Sequence, residues 1–405
     1  MQVNRLRGLF VFMVGIFLAC AGLAYGQMHP GVHPVPAVIV QVLKAFDNPE
    51  GAIFSADGKF VFVSNAAELG ADRADGFGWE EGAGYISKLE VQPSGTLTMV
   101  NDKLITGLTA PLGMGVLPVS TGKFPAGSIF VCVGSAPLRD NNGQVVKDPK
   151  RLQTKLLVFN VDGQILGEIK TGVGSTFEEV TGSPITLINA LGFDKSGNVY
   201  IADTAFGGDQ FDPPVPPKGG LWMIPVDALD ALADNQAPTA KVQFIPVPGN
   251  PDGVEVSPSD GKIYVNTVGP VAGAPDPAGG GIYGVTMAEF DGGQLPSGAL
   301  VDSQLGALDG LDFTAGGTML NTQIKGDVPP RIYVNCPGKP ATTLELQPAG
   351  AMADLTGPAD VAVKQLDDGS HLVVIPELYA RDTTPGDDEI TVVILPPNFD
   401  AACQG

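Results

Sequence analysis

Pro251-Asp252-Gly253-Val254-Glu255-Val256, followed by Asp260-Gly261 and then Ile263-Tyr264-Val265, reads as strand, tight turn, strand. Asp-Gly supplies the positive φ angle that a two-residue hairpin turn needs, and the flanking runs are short and rich in β-branched and aromatic residues. The same unit recurs. Pro49-Glu50-Gly51 leads through Asp57-Gly58 to Phe60–Ser64, and Asn189-Ala190-Leu191-Gly192-Phe193 leads through Ser196-Gly197-Asn198 to Val199–Ala202. Weaker copies begin at Pro111-Leu112-Gly113, Leu308-Asp309-Gly310 and Pro358-Ala359-Asp360. Taking Glu50, Leu112, Asn189, Asp252, Asp309 and Ala359 as equivalent starts, the spacings are 62, 77, 63, 57 and 50 residues.

Those spacings leave room for two more strands after each hairpin, and a unit that cannot bury its apolar face alone must stack on copies of itself. Four strands per unit, repeated radially, is propeller architecture. The expected fold is therefore all-β: a six-bladed β-propeller with four-stranded blades, the last blade closed by both termini. A β-sandwich accounts for neither the recurrence nor the length.

In a propeller the first strand of each blade lines the central channel, so the six equivalent positions converge. Four of them, Glu50, Asn189, Asp252 and Asp309, carry side-chain oxygens, and no Lys or Arg occupies an equivalent position. Each alone reads as an ordinary turn-starting residue. Together, the carboxylates must either hold protons at raised pKa or bind a cation, and all-oxygen donors suit a hard divalent ion, Ca2+ first. Glu50, Asn189 and Asp252 form the core of that expected metal site, with Asp309 as a further candidate ligand. Asp360 falls out of register and is expected to accept backbone donors. Zinc and copper are disfavoured by a chain with only three histidines, His29, His33 and His371. Asn65, Asp203 and Asn266 end the second strands, as an outer shell or as surface turn residues. The insertions 66–84, with Trp79, and 205–220, with Phe206 and Phe211, are long loops of the kind that carry binding; their aromatics either wall a pocket or pack the loops down.

Arg5 and Arg7 precede the apolar run Leu9–Leu23, and Ala24 and Gly26 sit where a signal peptidase reads small residues. Residues 1–26 are thus expected to be a signal peptide and 27–405 the propeller domain, secreted or periplasmic and free of the membrane after cleavage. Cys20 is a poor lipidation site behind Phe17-Leu18-Ala19. The formal charge of −21 disfavours nucleic acid and anionic membrane surfaces. Of the cysteines beyond the leader, Cys132 lies in an apolar strand-like run and reads as a buried thiol, which makes Cys336–Cys403 the simplest disulfide.

Pro-Glu-Gly at 49–51, Asn189 ahead of Leu-Gly-Phe-Asp-Lys-Ser-Gly-Asn-Val-Tyr-Ile-Ala-Asp, and Pro-Asp-Gly at 251–253 resemble the six-bladed superfamily of gluconolactonases, senescence-marker proteins and paraoxonases. That resemblance implies one divalent cation held by Glu50, Asn189 and Asp252, with Asp252 as general base. The chain departs from it at Leu112, where the gluconolactonases carry a substrate-contacting Asn, and it has no counterpart of the paraoxonase histidine pair. His29 and His33 are flanked by Pro30 and Pro34, which oppose the helix that would align them.

The leading functional expectation is an exported calcium-dependent lactonase or ester hydrolase taking a small-molecule lactone or ester, with Asp252 assisting water attack. The alternative is a non-enzymatic binding module in which the metal ion staples the blades and the loops take a sugar, peptide or protein partner. A quinone-dependent dehydrogenase fits poorly, because the basic and imidazole groups its anionic cofactor needs are scarce. No nucleophile elbow, His-Glu-x-x-His, phosphate loop or Cys-x-x-Cys occurs. Asp140-Asn141-Asn142-Gly143 lacks the later bidentate Glu of a calcium loop and reads as a turn.

Overall fold

The computed structural model describes residues 35–67, 81–135, 147–206, 208, 211–269, 279–324, 330–336, 339, 341–347, 355, 357–378 and 388–404. The leader, His29, His33, Trp79 and the 140–143 run lie outside the described residues. All six expected hairpins form. Strand β1 is Val35–Lys44, and the first sheet runs in the order β2 (Pro49–Phe54), β3 (Phe60–Asn65), β4 (Gly84–Val91), β5 (Leu97–Leu108). The second is β6 (Pro111–Val116), β7 (Ile129–Val133), β8 (Lys155–Phe159), β9 (Ile165–Lys170). The third is β10 (Ile188–Phe193), β11 (Val199–Asp203), β12 (Gly220–Ile224), β13 (Gln243–Pro246). The fourth is β14 (Pro251–Val256), β15 (Ile263–Thr267), β16 (Gly281–Val285), β17 (Leu300–Ser303).

The remaining strands depart from the expected pattern of six separate sheets. β18 (Leu308–Phe313), β19 (Met319–Gln323), β20 (Arg331–Asn335), β21 (Thr342–Gln347), β22 (Ala362–Gln365), β23 (His371–Glu377) and β24 (Glu389–Leu395) join β1 in one eight-stranded sheet. Its order is β18-β19-β20-β21-β1-β24-β23-β22. The merger has a local cause. β1 pairs antiparallel with β24, as a strand closing the last unit should, but its start also pairs in parallel with β21, from Val35 opposite Leu344 to Val38 opposite Gln347.

The inner strands stand side by side in a closed ring: β2 neighbours β6, β6 neighbours β10, β10 neighbours β14, β14 neighbours β18, and β22 neighbours both β18 and β2. The fold is an all-β propeller. Its second strands are buried almost throughout, as in Ile129–Val133 and Val199–Asp203, because each sheet is covered on both faces by its neighbours. Such strands read as continuous apolar runs rather than alternating ones. Between the second and third sheets Leu112, Phe130, Leu191 and Trp222 share one core; between the first and the eight-stranded sheet Phe54, Val61, Leu89, Leu372 and Val392 share another.

The C-terminus is tied down as expected by the disulfide Cys336–Cys403, with Cys132 buried and unbridged. Beside it the Asp400 carboxylate accepts from the hydroxyls of Thr314 and Thr318. Among the described residues no helix is long and apolar enough to cross a membrane.

Close approach of the inner strands explains the recurring glycine. A Cβ on Gly253 would lie 2.4 Å from the Asp309 carbonyl oxygen, and one on Gly51 2.7 Å from that of Leu112. Neither neighbour can retreat, since both are ring backbone. Gly261, in the β14–β15 turn, has φ of +69° but open space around it. Gly253→Ala is therefore expected to cost about 3 kcal/mol or more in urea unfolding, against about 1 kcal/mol for Gly261→Ala. Equal costs at the two positions would contradict the close-packed ring.

Candidate metal centre

Every inner strand from β2 to β18 is bulged at the same place. Pro49 pairs with Asn65 and Ala52 with Val63, so that Glu50 and Gly51 together oppose the single residue Ser64. The same two-against-one step puts Leu112-Gly113 opposite Cys132, Asn189-Ala190 opposite Ala202, Asp252-Gly253 opposite Asn266, and Asp309-Gly310 opposite Thr322. A bulge interrupts the ladder and re-aims a side chain. Here it falls on five of the six positions that the spacing of the hairpins equates, Ala359 being the exception. The freed backbone groups are taken up by the opposing strand: Gly51 N–H donates to Ser64 Oγ at 2.7 Å, Gly253 N–H donates to Asn266 Oδ1 at 2.8 Å, and Thr322 Oγ1 donates to the carbonyls of Gly310 and Ala359.

Glu50 and Asp252 are each 5% exposed, Asp309 7% and Asn189 9%. Three carboxyls thus sit out of water within one another's fields. Burial pushes the Glu50 carboxyl well above the usual carboxylate range, and the charges of Asp360 and Asp252 push it further. Asp309 is raised by burial and then by Asp252, Glu50 and Asp360. Asp252 is raised by burial, opposed by its hydrogen bond with Asp309, and raised again by Asp360. No amine or guanidinium contributes to any of these shifts. Glu50 Oε2 and Asp252 Oδ1 are buried with no hydrogen-bond partner. A buried carboxylate oxygen left unpaired is costly, and a cation is the usual remedy.

The donor chemistry fits a hard cation: two unpaired carboxylate oxygens, with the Asn189 amide at the equivalent bulge and no sulfur or imidazole in the set. Among the described residues no three His, Cys, Asp or Glu side chains gather tightly enough to enclose an ion by themselves. The expected trio has only two acids, its third expected member being the Asn189 amide. Of the four candidate ligands, Glu50, Asp252 and Asp309 share one electrostatic cluster. Asn189 occupies the same bulge position on β10, between β6 and β14.

Asp360 does accept a backbone donor as expected, Ala52 N–H to Oδ2 at 3.0 Å, which ties the last inner strand to the first. It also belongs to the acidic cluster, with its carboxyl pushed up to about 7 by burial. Two further acids were not singled out from the sequence, Glu255 and Asp312. Burial raises both, and Asp312 raises Glu255 further while holding the Val363 N–H in a 2.6 Å hydrogen bond. Their signal was present: Asp-Gly-Val-Glu at 252–255 and Asp-Gly-Leu-Asp at 309–312 repeat an acid three residues after the first.

Asn65, Asp203 and Asn266 are fully buried rather than surface turn residues. Asn65 accepts from Asp47 N–H and donates to Ser87 Oγ, while Asn266 bonds directly behind Asp252. Asp203 accepts from Ala205 N–H, and burial pushes its carboxyl up to about 6. Phe211 is buried against Leu152 and Val215, which packs its loop down. Leu112 is 2% exposed within an apolar core, and His371 is buried beside Asp400.

No protein-family model and no curated protein sequence matches the chain. Solved structures do. A protein of unknown function from Dyadobacter fermentans is similar over 88% of this chain and 98% of that one, with a TM-score of 0.53 and 12% identity. A gluconolactonase from Xanthomonas campestris is similar over 90% of this chain and 99% of that one, at TM-score 0.43 and 15% identity. The quinone-bound aldose sugar dehydrogenase of Streptomyces coelicolor is similar over 88% and 96%, at TM-score 0.46 and 11% identity. The likeness is one of fold.

Folding must take up protons at this cluster when no cation is present. Unfolded carboxyls titrate near pH 4, and the folded ones hold protons above that, so stability is greatest at acidic pH and falls as pH rises through the raised range. In chelator, the melting temperature is expected to drop between pH 5 and pH 8. Asp309→Asn, which removes a competing charge and keeps a partner for Asp252, flattens that drop. A melting temperature that rises over the same interval would contradict the clustering.

Proposed function

We propose that the chain is a calcium-dependent hydrolase of lactones or esters, with the cation held by Glu50, Asn189 and Asp252 and with Asp309 beside it. The observation that carries this reading is the pair of unpaired buried oxygens, Glu50 Oε2 and Asp252 Oδ1, at one bulge position of two inner strands. We also read the eight-stranded sheet as two blades fused edge to edge through the β21–β1 pairing, which makes six four-stranded blades, and the leader as a signal for export to the periplasm or medium.

A bound divalent cation would polarise a substrate carbonyl and offset charge developing on its oxygen. Asp252 is the general base. Burial and the Asp360 charge raise its proton affinity, and the hydrogen bond from Asp309 fixes the orientation of its carboxyl group. Leu112 leaves the bulge of one inner strand, β6, without a polar group, which favours a less polar ester or lactone over a polyhydroxylated one.

A panel of aliphatic lactones, sugar lactones and aryl esters, assayed with calcium and with chelator, tests this proposal. Hydrolysis is expected to require calcium, and Asp252→Asn should lower kcat about 10²-fold or more. Calcium retention without turnover of any panel member would sink the hydrolase assignment. If Asp252→Asn then lowered the melting temperature alone, the binding-module alternative, with a structural ion, would take its place.

A further inference from the structure

Behind the acidic bulges a file of buried amides leaves the channel. Asn266, on β15, accepts from Gly253 N–H at 2.8 Å through Oδ1, and its Nδ2 donates both to the Gly310 carbonyl at 3.1 Å and to Asn321 Oδ1 at 3.2 Å. Asn321, on β19, donates to Asn335 Oδ1 at 3.0 Å, and Asn335, at the end of β20, donates to Asp302 Oδ2 at 3.0 Å. Asn266 and Asn321 are fully buried and Asn335 is 5% exposed, whereas Asp302, on β17, is partly exposed.

The polarity of this file is forced. A backbone N–H can only donate and a backbone carbonyl can only accept, so Gly253 and Gly310 fix which way round the Asn266 amide sits. At the other end a carboxylate only accepts, which fixes Asn335. Asn321, held between them, has one remaining choice. Each amide therefore donates to the next one outward, from the ring towards Asp302, and hydrogen bonds aligned head to tail polarise one another.

We propose that Asn266, Asn321, Asn335 and Asp302 form a positioning relay: the charge of Asp302 polarises the three amides so that Asn266 grips the backbone of both acidic bulges, Asp252-Gly253 and Asp309-Gly310. None of the four touches substrate or cation. Their role is to hold two neighbouring inner strands at the spacing and bulge geometry that bring Asp252 and Asp309 together. A packing role alone would be indifferent to the charge on a partly exposed residue four hydrogen bonds from Gly253. The relay itself rests only on these bonds; its effect on cation affinity rests on the metal site proposed above.

The test compares Asp302→Asn, which keeps the shape and removes the charge, with Asp367→Asn, which removes the same charge from the exposed β22–β23 turn. In the full-length protein without metal, the Gly253 amide proton is expected to move upfield in Asp302→Asn and to stay put in Asp367→Asn. Calcium titration should then show affinity about threefold to tenfold weaker in Asp302→Asn than in the control. Asn321→Leu, which interrupts the file, should move the Gly253 proton the same way and further; if that variant does not fold, the Asp302 comparison decides. An unmoved Gly253 proton in Asp302→Asn overturns the relay. A moved proton in a protein that binds no calcium supports the relay and refutes the metal site.

Discussion

The structure depends on how closely six inner strands approach around one axis. At Gly253 the neighbouring strand's carbonyl lies where a side chain would begin, and the bulge beside it leaves a backbone N–H for Asn266 to take up. That crowding is what puts Glu50, Asp252, Asp309 and Asp360 within reach of one another's charge. A glycine is needed to let the strands meet, and an acid beside it then has nowhere to go but the shared centre.

Electrostatics alone would drive such a ring apart. Two devices offset the cost: protons, through raised carboxyl pKa values, and hydrogen bonds from groups fixed by the fold, such as Ala52 N–H to Asp360 and the Asp252–Asp309 pair. A cation at the proposed site would be the third. The unpaired oxygens of Glu50 and Asp252 mark where the first two devices stop. Cation binding there would be linked to proton release and stability, because the same oxygens would serve all three.

Much of this was legible in the sequence. The six hairpins and the equivalence of Glu50, Leu112, Asn189, Asp252 and Asp309 follow from turn chemistry and spacing, and the Cys336–Cys403 bridge is the simplest pairing once Cys132 is set aside as a buried strand thiol. What sequence could not carry was pairing between distant strands. The eight-stranded sheet arises because the start of β1 lies parallel to β21, and no local pattern in Val35–Val38 announces it. Asp360 stands one residue out of register with the other acids, yet the crowding around Gly310 brings its carboxyl within 2.2 Å of where a Cβ on that glycine would sit. Asn65, Asp203 and Asn266 looked like surface residues because polar groups at strand ends usually are. They are buried because neighbouring sheets cover both faces of the strands that carry them.

The central claim is that the ring holds a cation at the bulge positions of β2, β10 and β14. Anomalous diffraction from crystals grown with calcium tests it most directly. The account predicts one strong peak about 2.4 Å from Glu50 Oε2 and Asp252 Oδ1 and within ligating distance of Asn189. A map with no peak there, or with its peak elsewhere on the chain, would contradict it.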